Sequence, residues 1–269
     1  MTTESEWHTF SEVPSENVAT SAEPDRRTRK RAAKRNDLLD LALELSERLG
    51  VEGVTMAALA EAADYAPASL YTYFPSRSAL IAAMQQRALH TLGGVAESTL
   101  QAWDLAAAAR PDPLAPEPAA LARLWVFSDL FLVAPESHAR EFRLQQQLLA
   151  TPKVQEANDA ATVVPAAMSV LDRPRRLLAD AVAAGALDPH DAGADPVDGL
   201  LDGDLLRTFV WVTALNGGLQ IDDLGIGVPT TGATLGHELT RALLAGWGAD
   251  ATALTTARLA SDHWVADHL

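Results

Sequence analysis

Two groups of side chains in this sequence have a spacing that suits contact with a polyanion. The first is a basic run, Arg26, Arg27, Arg29, Lys30, Arg31, Lys34 and Arg35. The second is the small, uncharged set Pro67, Ala68, Ser69 and Thr72, which helical spacing turns outward while Leu70 and Phe74, four apart, turn inward. Such a face fits deep into a DNA major groove. Tyr71 and Tyr73 can then reach flanking phosphates, with Thr55 and Arg77 as further backbone clamps. The outward face has no Arg, Asn or Gln, the side chains that pair bidentately with bases, so thymine methyls, DNA shape and the basic arm must supply much of any selectivity. The arm itself suits a minor groove or the phosphates beside it; the plainer alternative is a solvated run that pairs with the acidic residues before it.

Other chemistries find less support. The chain has no cysteine, which removes disulfides, thiol catalysis and thiolate zinc sites. His8, His90, His138, His190 and His237 stand alone, and His263 with Asp267 reads as a solvated helix face rather than a metal site. Gly217-Gly218 and Gly225-Ile226-Gly227 follow no strand, and no serine sits in a nucleophile elbow. No catalytic residue, metal or cofactor is therefore assigned. Asp129 is the pointed exception, a carboxylate among Trp125, Val126, Leu132 and Val133. Its burial requires a partner, either an internal arginine such as Arg143 or a bound ligand.

The elements that position the outward face can be read from their periodicity. Met56, Leu59, Ala60 and Ala63 form one apolar stripe, with Thr55 placed to cap its start. Asp64 and Tyr65 interrupt the stripe, and a second helix opens at Ala66 with Pro67 in its first turn. Before them runs an apolar helix with Leu38, Leu39, Ala42, Leu45 and Leu49, and the turn Gly50 to Val54. After them Ser76-Arg77 opens a helix with Leu80, Met84, Ala88 and Thr91 on one side, and Gly93-Gly94 marks a break.

Residues 35 to 80 resemble the DNA-binding domain of the TetR family of transcriptional repressors. Departures from that pattern are Asp64 for the turn glycine, Tyr65 for a small residue, Ala66 for a capping serine, Tyr73 for a histidine and Arg77 for a lysine. Asp tolerates a left-handed turn, and Arg keeps a phosphate-binding charge. The resemblance implies an all-α fold with an N-terminal three-helix DNA-binding domain and a larger helical ligand-binding and dimerisation domain.

Charge supports that division. The net charge of −15 argues against DNA when taken whole, but residues 1–25 carry six acids and no base, 26–90 carry ten bases and seven acids, and 91–269 carry eleven bases and twenty-three acids. Three segments are expected: a disordered acidic tail over 1–25, a basic arm and helix-turn-helix over 26–90, and an effector and dimerisation domain over 91–269. The tail is expected to compete with DNA for the arm. No signal pattern and no uncharged run of about twenty residues are present, so a cytoplasmic protein without a membrane partner is expected.

Beyond the proline-rich loop 111–118, helices are expected over 118–134, 137–150, 153–172 and 175–186, each ended by a proline or a loop. Others follow over 199–219, 232–247 and 250–266. Trp103, Trp125, Phe127, Asp129, Phe131, Phe142 and Met168 are candidates for a small-molecule effector pocket, although aromatics at helical spacing more often form plain core. The stretch 199–219 is apolar on nearly all sides and must be buried all round. By the resemblance, Leu205, Phe209, Val210, Leu235, Leu239, Leu243 and Trp247 would meet their copies in a homodimer that binds double-stranded DNA. The rival classes are an all-helical protein-interaction module, a small-molecule binder without DNA function, and an enzyme built on Asp129 or on the pair His263 and Asp267.

Overall fold

Apolar stripes at helical period, with no alternating pattern, dictate helices that bury one side against each other. The computed structural model follows that rule and describes residues 26–150, 157–189, 203–223 and 230–269, all helices and connections. The expected acidic tail, the start of the helix placed at 153, most of the loop 186–198 and Gly225 to Gly227 lie outside the described residues. Ten helices are described: α1 (Arg26–Gly53), α2 (Met56–Ala62), α3 (Pro67–Leu70), α4 (Arg77–Ala108), α5 (Pro116–Ser137), α6 (Ala139–Ala150), α7 (Ala157–Ala183), α8 (Gly203–Asp223), α9 (Gly232–Gly246) and α10 (Ala251–His268).

The chain divides into two units, residues 1–37 and 38–269. In the first, Arg26 to Asp37 is helical and mostly exposed. The basic run is thus the opening of α1 rather than an arm preceding it, because Arg, Lys and Ala are all good helix formers. No acid occupies its first turn to offset the positive helix pole.

In the second unit one core cluster joins Leu38, Leu39, Ala42 and Leu45 of α1, Leu59 of α2, Leu70 of α3, Phe74, and Leu80, Met84 and Ala88 of α4. Leu144 of α6 completes it. Leu49 departs from the expected inward stripe and is 54% exposed. The helix loses its geometry directly after it, at Gly50 with φ 69°. A larger cluster joins the C-terminal part of α4 to α5, α7, α8, α9 and α10, with Leu121, Leu124, Trp211, Leu215 and Leu244 fully buried.

Three expected helix ends are overridden. α4 continues through Gly93-Gly94, α5 through Pro135 and α7 through Pro174. Proline removes one backbone hydrogen bond, and interior glycine costs about 1 kcal/mol relative to alanine. Packing of long apolar faces on both sides outweighs such local penalties. α5 is long and apolar enough to cross a membrane by length and composition, but 72% of that stretch is buried within the protein, as for a core helix. α10, which the sequence left unplaced, packs along α5. Asp250 caps it by accepting from the Thr252 and Ala253 amides, and the Ala253 contact first, then Thr252, holds its carboxyl below the usual range.

Candidate nucleic-acid interface and cavity

The turn between α2 and α3 is built by local chemistry. Thr55 Oγ1 accepts from the Ala58 amide at 3.0 Å and starts α2. Asp64 then adopts φ 55°, the left-handed conformation in which a short polar side chain is tolerated. Ala66 stands at the start of α3 with no side-chain cap, and Pro67 takes the first helical position, where a missing N–H is harmless. α3 is short: regular helix ends at Leu70, and residues 71–73 continue as a turn in which Thr72 Oγ1 donates to the Ser69 carbonyl at 2.7 Å. Leu70 and Phe74 anchor the segment in the core, leaving Pro67, Ala68, Ser69 and Thr72 exposed together. Tyr71 is 52% exposed, whereas Tyr73 lies half-buried against the core.

Arg77 departs from its expected role at phosphate. Its Nε donates to the Val54 carbonyl at 2.7 Å, and its Nη2 to those of Val51 at 2.8 Å and Glu52 at 3.2 Å. A guanidinium holding three carbonyls ties the last residues of α1 and Val54 to the first residue of α4. Ser76 caps the same helix by accepting from the Ala79 amide. The Arg77 signal was legible only as a charge; the carbonyls that claim it are more than twenty residues away.

A cavity of about 280 Å³ lies among α4, α5, α6, α7 and α8. Of the residues expected to line a pocket, Phe127, Phe131 and Phe142 line it, joined by Leu89, Val95, Ala96, Leu130 and Val212. Its polar lining consists of His90, His138, Gln145, Arg173 and Arg176, none of which the sequence singled out for a pocket. Burial pushes the Arg173 guanidinium below its ordinary value, with the neighbouring Arg176 acting in the same direction.

The other four expected lining residues are elsewhere. Trp103 packs edge-on against Trp264 at 5.7 Å, filling space between α4 and α10. Met168 is exposed on α7. Asp129 is buried, but its partners are Arg258 Nη1 at 2.9 Å and His237 Nε2 at 2.5 Å rather than Arg143 or the cavity. Trp125 covers this group, with the Arg258 guanidinium 4.9 Å from its ring centre. The carboxylate thereby joins α5 to α9 and α10, a tie whose partners are over a hundred residues distant.

On α8, Phe209 and Val210 are exposed while Trp211 and Leu215 are buried, so the helix is not covered all round within one chain. Leu205, Leu235 and Leu239 are half-buried. Leu243 and Trp247 pack partly against the larger core of their own chain. α8 and α9 approach closely at Gly218, where an added Cβ would lie 3.0 Å from the Gly232 carbonyl oxygen and 3.1 Å from the Gly236 nitrogen.

Residues 38–84 match the sequence profile of the bacterial regulatory proteins of the tetR family. These residues, from α1 into α4, are the part of the chain that is tetR-like in sequence. The chain is similar in fold to a protein of unknown function from Rhodococcus sp. RHA1, with a TM-score of 0.58 and 19% identity over 80% of this chain and 95% of that one. It is also similar to RolR in complex with resorcinol (TM-score 0.52, 18% identity, 87% and 95% covered). SmeT, the repressor of the Stenotrophomonas maltophilia multidrug efflux pump SmeDEF, shares the fold (TM-score 0.51, 18% identity, 81% and 92% covered). No curated protein sequence matches the chain. The helix-turn-helix match over residues 38–84 and an all-α fold shared with these structures are thus in place.

Proposed function

We propose that the protein is a cytoplasmic, dimeric transcriptional repressor that binds a pseudo-palindromic operator and is released by a small-molecule effector. The observation that carries this reading is the double use of two helices. α4 gives Leu80, Met84 and Ala88 to the core of the helix-turn-helix and Leu89, Val95 and Ala96 to the cavity wall. α6 gives Leu144 to the same core and Phe142 and Gln145 to the same cavity. A molecule filling the cavity therefore bears on the elements that hold α3. It regulates only if it favours one arrangement of them over another.

In this reading Pro67, Ala68, Ser69 and Thr72 meet base edges, while Thr55, Tyr71 and Tyr73 meet phosphates. Arg26, Arg27, Arg29, Lys30 and Arg31 contact the backbone or the adjacent minor groove from the opening turns of α1. Exposed Phe209 and Val210, continued by Leu205, Leu235 and Leu239, form the apolar surface for a second copy. Leu243 and Trp247 extend it where they are not already committed to their own core.

Selection of bound duplexes from a random pool tests the proposal. Enrichment of an inverted repeat with half-sites about 34 Å apart, or a multiple of that, is expected; a pool that stays random, or yields asymmetric single sites, rules the reading out. Replacing Arg26 and Arg27 together by Ala is expected to reduce the slope of log affinity against log salt by roughly 1.8, two phosphate contacts at about 0.9 each. An unchanged slope removes the arm from the interface.

A further inference from the structure

Resting on the effector role just proposed, a chemical preference can be read from the lining of the cavity. Its walls are aromatic and aliphatic, contributed chiefly by Phe127, Phe131 and Phe142. Its volume of about 280 Å³ suits an organic molecule of one or two rings. The cations at its edge are already matched: Arg173 pairs with Glu97, and Arg176 Nε donates to Asp172 Oδ2 at 2.9 Å. A charged ligand would have to break one of these pairs or bring an unpaired charge into an apolar space, and both are costly.

Of the other polar lining residues, His90 is exposed and His138 half-buried, and Gln145 is the buried one. It is 9% exposed, lines the cavity, and its amide makes no hydrogen bond among the described residues. Its neighbour Gln146 is engaged with Asn216 of α8, so the pair is divided between a structural bond and an open one. A buried primary amide holds two donors and an acceptor that each favour a partner. Gln145 lies one residue from Leu144 in the helix-turn-helix core and three from Phe142 in the wall.

We propose that the cavity takes a compact, uncharged ring compound bearing one hydrogen-bonding oxygen, and that Gln145 is the residue that selects for that oxygen. The test uses the full chain and three probes built on one ring system, titrated calorimetrically at neutral pH: β-naphthol, its methyl isostere β-methylnaphthalene, and the slightly larger anion β-naphthoate. The wild type is expected to bind β-naphthol roughly fivefold to tenfold more tightly than β-methylnaphthalene, the effect of one hydrogen bond, and β-naphthoate most weakly. In Gln145→Met, which keeps the side-chain length, the gap between the first two is expected to close to within about twofold, with binding of β-methylnaphthalene retained. That retained binding also shows that the variant is folded; Gln145→Leu serves as the second variant if the methionine chain fails to fold. A gap that persists in both variants, or tightest binding of β-naphthoate, overturns the inference and leaves the effector cavity standing. Failure of all three probes to bind the wild type overturns both.

Discussion

The core under α3 and the helices around the cavity use the same kinds of apolar side chain to different ends. Leu38, Leu59, Leu70, Phe74, Leu80 and Met84 are at most 1% exposed and close on one another from four short sequence segments. Phe127 and Phe131 of α5 and Phe142 of α6 belong to helices that meet without filling the space between them. The difference teaches where rigidity is needed. The proposed reading surface of small residues would keep its shape only if its support has one arrangement, whereas the proposed effector site would need room and helices able to settle in more than one way.

Removing volume should therefore hurt the first region more than the second. Leu59→Ala is expected to lower the unfolding free energy by about 3 kcal/mol, while Phe131→Leu beside existing free space should cost less than about 1 kcal/mol, both read from urea denaturation. Equal losses would break the comparison. A second contrast lies between glycines. Gly218→Ala drives a methyl group into the backbone of α9 and is expected to cost about 1 to 3 kcal/mol, with a weakened dimer by sedimentation. Gly94→Ala places its methyl group in open space within α4 and is expected to raise stability by about 0.5 to 1 kcal/mol. A loss there would mean that α4 needs its glycine for motion or contact that the free chain does not display.

Legibility in the sequence divides along the same line. The helix-turn-helix could be read because each of its signals is local: a stripe at helical period, Thr55 and Ser76 as caps, Asp64 at a left-handed turn, Pro67 at a first turn. Ends drawn at Pro135, Pro174 and Gly93-Gly94 failed because a local penalty near 1 to 3 kcal/mol was set against burial that only the assembled helices supply. The phenylalanines of the cavity could be proposed from their type. Trp103 and Trp125 could not be separated from them, since packing partners on α9 and α10 decide their place. Gln145 gave no signal at all: an amide on an amphipathic helix looks solvated until the helices around the cavity close over it.

The three carbonyls gripped by Arg77 make the start of α4 and the turn before α2 a single piece. From that grip to the cavity wall at Leu92 the helix runs fifteen residues, roughly 22 Å at 1.5 Å each, so a tilt of about 5° about the wall displaces the gripped end by roughly 2 Å. In a symmetric pair the two displacements sum to roughly 4 Å, more than the 3.4 Å separating successive base pairs. Under the proposed function, a slight adjustment around a small guest would become, by leverage alone, the loss of one step of register on the duplex.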